Sequence, residues 1–266
     1  MNHWVWTQNR VLFVIALCTS VNAQVPRSGK NTLAIRGQQQ HIYLYQATSS
    51  GRHGNILFAS GDAGCRGFAV AIAEQLENEG YDTYCLDVLH YLESFTGQTT
   101  LTTEQIASDF NQIAHWIERK DHEPILLVGW SEGAGLDLAA AANPANKFEF
   151  GGIIAIGLPK DNILAWRWRD IGAWITKRSP HEPTFNSADV MPRIAPLPLF
   201  VIGSSSTQWV TPEATRQLFS LAREPKKLVM VTARDHKFNG NTQAFFNVLR
   251  EALDWAQRQE SQNPRL

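Results

Sequence analysis

The chain has 266 residues, 44% of them hydrophobic and 18% charged, with 24 Lys and Arg against 25 Asp and Glu. That length and apolar content can bury the core of one large α/β domain, which excludes a disordered chain. The near-neutral charge excludes a general electrostatic pull toward nucleic acid.

Residues 1–23 carry no acid and one base, Arg10, ahead of an apolar run at 11–17 and the small-residue pattern Val21-Asn22-Ala23 that a signal peptidase reads. The expectation is a cleaved secretory signal over 1–23, a mature domain over 24–266, and a secreted or periplasmic location. The apolar run is far shorter than the ~20 residues of a spanning helix, which argues against a retained anchor. Cleavage leaves 23 bases against 25 acids, a net charge of −2. Cys65 and Cys85 also remain. They can pair in an oxidising compartment, or stay as two free buried thiols; spacing alone does not fix their Cα separation, and it suits no metal site.

In chain order, residues 32–36 and 41–47 alternate in polarity and predict an antiparallel hairpin joined by Gly37-Gln-Gln-Gln. Residues 55–60 (NILFAS) predict a buried strand running through Gly61-Asp62-Ala63-Gly64 into an amphipathic helix with Phe68, Ile72 and Leu76 on one face. Residues 81–88 form the next strand, 89–103 a Thr-rich loop, and 104–120 a helix. The strand 125–129 and the Ala-rich helix after Ser131 follow, then a buried strand over 151–158. Residues 159–198 hold three Trp among many Pro and Arg without clean periodicity, which predicts a partly helical cap inserted into the domain. Strand 199–203, helix 212–221, strand 227–233 and helix 241–257 close the chain. Strands alternating with helices imply a mostly parallel sheet covered on both faces, with function gathered at the carboxyl ends of its strands.

Gly129-Trp130-Ser131-Glu132-Gly133 lies on one strand-to-helix turn, the setting of a nucleophile elbow, where the flanking positions must be Gly because a Cβ would strike strand or helix. Ser131 is the candidate nucleophile. His236, shortly after the last strand, is placed over the same sheet edge as a general base. The turn at Gly61-Asp62-Ala63 would offer the backbone N–H of Asp62, which with that of Glu132 would hold a tetrahedral oxyanion; an ordinary turn with Asp62 as a helix cap is the alternative. The Glu132 side chain is expected to point into solvent or the mouth of the site.

These residues resemble the α/β-hydrolase superfamily over about 55–255. Within it the pattern is similar to bacterial virulence proteins of VirJ/AcvB type. The phrases that carry the likeness are Gly61-Asp62-Ala63-Gly64, Leu89-His90-Tyr91-Leu92, Ser108-Asp109, Gly129-Trp130-Ser131-Glu132-Gly133-Ala134 and His236-Lys237-Phe238. The resemblance implies an exported serine hydrolase of carboxylic esters, with aminoacyl phospholipid headgroups among its substrates. No metal or other cofactor is implied. One departure matters: Thr207 stands where the superfamily usually places the triad acid, in Gly203-Ser-Ser-Ser-Thr207-Gln208-Trp209-Val210-Thr211-Pro212. Asp161 is a possible relocated acid; Asp235, adjacent to His236, is poorly disposed to bridge it. The alternative function is therefore a hydrolase-fold binding protein that has lost turnover. The cap sequence Trp166-Arg167-Trp168-Arg169, with Trp174, Lys177 and Arg178, suits peripheral contact with an anionic lipid surface; the preferred reading is that its rings pack the cap onto the sheet.

Overall fold

The structure is a computed structural model and describes residues 29–48, 51–97, 101–117, 123–176, 181–207 and 209–262. The expected signal over 1–23 lies outside the described residues, as do Lys177 and Arg178.

The chain opens with the antiparallel hairpin β1 (Gly29–Ile35) and β2 (Gln38–Tyr45). Its turn is tighter than expected: Arg36 and Gly37 take positive φ of 46° and 80°, and the glutamines after them pair in β2 rather than forming the connection. The central strands β3 (Gly54–Ala59), β4 (Tyr81–Leu86), β5 (Ile125–Trp130), β6 (Phe150–Ile156), β9 (Leu199–Ser204) and β10 (Lys226–Val231) complete one sheet, in the order β1-β2-β4-β3-β5-β6-β9-β10. β4 through β10 in that order run parallel, and β2 joins β4 antiparallel. The parallel strands inside the sheet are buried on both faces, and β3, β5, β6 and β9 read as near-continuous apolar runs; the edge strand β10 is only partly buried.

Helices α1 (Phe68–Asn78) and α8 (Thr242–Gln262) cover one face with Phe58, Val128, Ile202 and Phe245 among its core. On the other, α3 (Thr103–Trp116), α4 (Glu132–Ala142) and α7 (Pro212–Leu221) pack with Leu127, Ile153 and Val201. Residues 89–103 are not simply a loop. Asp87 caps α2 (Val88–Phe95), accepting the His90 N–H at 3.2 Å, and Val88, Tyr91, Leu92 and Phe95 form its buried face. That face recurs at helical spacing, and it outweighs the polar residues between.

Two phrases of the resemblance meet here. Asp109 of α3, buried, accepts hydrogen bonds from Arg36 Nε at 2.9 Å, Arg36 Nη2 at 2.6 Å and Tyr91 Oη at 2.6 Å. The Arg36 guanidinium also lies 3.6 Å over the Phe95 ring. The edge hairpin is thereby tied to α2 and α3 through charge-assisted bonds that satisfy the buried carboxylate. Burial and the neighbouring Asp109 push the Tyr91 phenol well above its ordinary value, so it stays a donor.

Between β6 and β9 the chain leaves the sheet. β7 (Asp161–Ile163) and β8 (Thr184–Asn186) form a separate two-stranded antiparallel sheet, with α5 (Ile171–Thr176) and α6 (Ser187–Val190) beside it. Trp166 is buried, whereas Trp168 is 81% exposed, so one cap ring packs inward and the other faces out. Arg167 and Arg169 both reach the buried Glu182.

Candidate active site

Ser131 sits between the end of β5 and the start of α4 at φ 56° and ψ −124°. L-residues avoid this region, and a non-Gly residue is held there only where its surroundings enforce it. The enforcement is visible on both sides. Ser131 N–H donates to Ile156 O and Ala134 N–H donates to Ser131 O, each at 2.9 Å. A Cβ on Gly129 would lie 2.5 Å from Ala134 N, and one on Gly133 would run into the carbonyl oxygens of Ala59 and Ser60. Only glycine lets β3, β5 and α4 approach this closely. The result is a tight strand-to-helix elbow with the serine at its tip, the backbone geometry that a nucleophile elbow requires.

The turn after β3 lies against this elbow. A Cβ on Gly61 would be 3.6 Å from Ser131 Cβ and 3.0 Å from the Trp130 indole. Gly64 N–H closes the turn onto Gly61 O at 2.9 Å, which leaves Asp62 at its outer corner. Glu132 is the first residue of α4, and first-turn N–H groups have no partner inside a helix. A disulfide from Cys65 to Cys85, with Cα atoms 6.3 Å apart, fastens the turn to β4. The choice between free and paired thiols thus resolves to a bond between the connection after β3 and the neighbouring strand β4.

The Glu132 side chain does not extend into open solvent. It is half-buried, and its carboxylate accepts the Ile163 N–H of β7 at 3.1 Å, joining α4 to the cap. Burial pushes this carboxyl well above its ordinary range; Asp62 and Asp161 add to the rise and the Ile163 bond opposes it. The Asp62 and Asp161 carboxylates are thus near enough to Glu132 to act on it electrostatically. A second clamp lies one turn along, where Gly135 faces Asn162 so closely that any Cβ would overlap its amide. Asn162 Nδ2 donates to Ser187 Oγ at 2.8 Å, which donates to Pro159 O at 2.8 Å.

His236 lies in the tight loop between β10 and α8. Phe238, at φ 56°, stacks on Phe245 with centroids 4.3 Å apart and so anchors the His-x-Phe phrase in the core. The imidazole stacks against Trp130, centroids 5.7 Å apart and planes 28° apart. A Cβ on Gly157, which follows β6 at φ +59°, would lie 2.5 Å from His236 Cε1. Gly157 is thus part of the site, and its only trace in the sequence is a glycine at a strand end.

Burial lowers the His236 pKa to about 4; Asp235 opposes the shift and Lys237 adds to it. The ring is neutral at neutral pH. Its Nε2 is buried and makes no hydrogen bond, so it is not engaged with Ser131 Oγ in this structure. Catalytic hydrogen bonds of this kind commonly tighten only when substrate is bound.

No candidate acid is hydrogen-bonded to the imidazole. Thr207 Oγ1 accepts the Trp209 N–H at 3.1 Å. Asp161 stays in the cap, accepting Asn186 Nδ2 at 3.0 Å. The Asp235 carboxylate accepts from Lys237 N at 2.9 Å, Asn239 N at 3.1 Å and Asn239 Nδ2 at 2.7 Å. A further acid that the sequence reading passed over, Asp137 of α4, lies beneath Gly129 with neither oxygen hydrogen-bonded, and burial pushes its carboxyl well up.

Residues 55–155, from β3 to the end of β6, match the family described as bacterial virulence protein (VirJ). A search of curated proteins found no match. Among solved structures, the chain is similar to the α/β hydrolase GrgF from Penicillium sp. sh18 at 16% identity and TM-score 0.66, covering 88% of this chain and 99% of that one. Est1E from Butyrivibrio proteoclasticus matches at 14% identity and TM-score 0.65, over 87% of this chain and 100% of that one. The esterase domain of a Rhodothermus marinus protein matches at 21% identity and TM-score 0.60, over 86% and 97%. The chain has the α/β-hydrolase fold.

Proposed function

We propose that this chain of α/β-hydrolase fold, VirJ-like over residues 55–155, is an exported serine esterase that works through an acyl-enzyme on Ser131. The observation that carries the reading is the backbone of Ser131, held at φ 56° on an elbow whose two glycines admit no side chain. Strain of this kind is maintained where a hydroxyl must stand clear of the sheet.

In the proposed reaction Ser131 Oγ attacks the ester carbonyl carbon and gives its proton to His236 Nε2. The carbonyl oxygen becomes an oxyanion facing the backbone N–H groups of Glu132 and Asp62. Collapse expels the alcohol, which takes the proton from His236. Water then repeats the sequence on the acyl-enzyme, releasing the acid and restoring Ser131. A His236 pKa near 4 supports the first step, because the imidazole is in its basic form at neutral pH. Each oxyanion donor is worth about 3 kcal/mol in the transition state.

The negative field of Asp62 and Asp161 around Glu132 favours a substrate that carries positive charge on this side of Ser131. An aminoacyl ester has its ammonium there, which agrees with the aminoacyl-lipid substrates that the VirJ resemblance implies. The outward-facing Trp168, Ile171 and Ile175 of the cap would suit a lipid-borne ester. The Cys65–Cys85 disulfide supports export to an oxidising compartment.

A second reading, a hydrolase-fold binding protein without turnover, is favoured by the absence of an acid on His236. Fluorophosphonate labelling of the mature protein separates the two, with the modified residue located by mass spectrometry. The esterase reading expects labelling at Ser131 that is abolished in Ser131→Ala and strongly reduced in His236→Ala. A folded sample that takes no label would establish the binding reading instead. Thr207→Asp, restoring a carboxylate at the usual place, should raise the labelling rate if the acid is simply missing.

A further inference from the structure

A general base needs a partner that fixes its ring plane and stabilises the imidazolium it becomes, and the usual partner is a carboxylate. Here the nearby acids are engaged elsewhere, Asp235 with Lys237 and Asn239 and Asp161 with Asn186. The group that does meet the ring is Trp130, whose centroid is 5.7 Å from that of His236 with the planes 28° apart. The indole is itself immobilised. Phe68 packs edge-on against it at 5.2 Å, and Gly61 lies so close that an added Cβ would be 3.0 Å from the indole carbon Cε3. Gly157 closes on the Cε1 edge of the imidazole. Trp130 is buried and His236 partly buried, and among the described residues neither Trp130 Nε1 nor His236 Nε2 has a hydrogen-bond partner, so neither atom is drawn out of the stack by a polar contact.

We infer that Trp130 is the positioning residue of His236, its indole face fixing the imidazole plane and stabilising the imidazolium in place of the triad acid. A cation within about 6 Å of a tryptophan centroid is attracted by the ring quadrupole, most strongly when desolvated. Burial is the main influence on the imidazole and disfavours its protonated form; of the charged groups that act on it, Asp235 favours the protonated ring and Lys237 opposes it. The inference rests on the reading of Ser131 and His236 as the hydrolytic pair.

Fluorinated tryptophans test it, because they keep the shape and N–H of the indole while draining the negative face. The mature protein is prepared with tryptophan, 5-fluorotryptophan and a multiply fluorinated analogue, alongside Trp130→Phe prepared the same way as the background in which only the other tryptophans change. Two quantities are read: the fluorophosphonate labelling rate at Ser131 at neutral pH, and the His236 titration midpoint by imidazole NMR, assigned with His236→Asn. The expected result is a stepwise fall in both with fluorination, reaching about tenfold in rate and about one pH unit in midpoint, and no dependence in Trp130→Phe. A midpoint and a rate indifferent to fluorination would overturn the inference. The two readings separate cleanly. His236-dependent labelling that ignores fluorination retains the esterase and removes Trp130's role; a fluorination-dependent midpoint in a protein that takes no label retains Trp130's hold on the ring and removes the esterase.

Discussion

Gly157→Ala is the most informative single substitution for the site, because it adds one methyl group at a position with no direct part in the chemistry. Two effects combine. The residue sits at φ +59°, and an L-residue placed in the left-handed region costs about 1–2 kcal/mol. The new Cβ would also stand 2.5 Å from His236 Cε1, about 1 Å inside ordinary van der Waals contact. The imidazole is confined by Trp130 on its face, so it must shift or rotate by roughly that amount. Misplacement of a catalytic group by 1 Å can cost ~100-fold in rate. Urea denaturation should therefore show a stability loss of about 1–3 kcal/mol with an unchanged slope, and fluorophosphonate labelling at Ser131 should slow by ~100-fold. If the variant folds and labels within threefold of the parent, then His236 is not the base, and the argument from the elbow to the imidazole fails.

Protonation of His236 gives a second test. Its folded pKa of about 4 lies below the unfolded value of 6.5, so the unfolded chain binds the extra proton first as pH falls. This group's contribution is intact above pH 6.5 and is lost progressively down to about pH 4, by about 3 kcal/mol in all. His236→Asn should remove that part of the acid destabilisation in urea melts, and the parent's labelling rate should keep its plateau down to about pH 5; an acid limb centred near 6.5 would contradict the burial. Asp109→Ala leaves Arg36 and Tyr91 without their shared acceptor, and denaturation should show a loss of about 3 kcal/mol. Reduction of the Cys65–Cys85 disulfide, which spans a sequence separation of 20, should lower stability by about 3 kcal/mol, with no free thiol titrating from either residue before reduction.

Much of the layout was legible because its causes are local. β3, β5, β6 and β9 are buried on both faces and so read as plain apolar runs, and the elbow announces itself through two glycines that sterics demand. The α2 helix was hidden because its signal, Val88, Tyr91, Leu92 and Phe95, lies in a segment whose polar and threonine content suggests a loop. The roles of Arg36 and Gly157 were illegible for a different reason: each depends on a partner far along the chain, Asp109 and His236, and nothing in the neighbouring residues encodes the meeting. For Glu132, of the two settings open to it, solvent or the mouth of the site, open solvent fails for the same reason. An acid at the start of a helix is normally solvated, and only the return of the cap strand supplies the Ile163 N–H that draws it in.

The join between the cap and α4 has a consequence for how substrates arrive. Ile163 is bonded to Glu132, and Asn162 is wedged against Gly135 within the first two turns of α4. A cap hinged to swing away would have to strip the buried Asn162 amide and the half-buried Glu132 carboxyl of their surroundings at each opening, and restoring them would be part of every cycle. The β7 part of the cap is therefore held as a fixed wall against the first turns of α4, next to Ser131 in the chain. Discrimination among esters would be made at the threshold by shape and charge, before any bond to Ser131 forms.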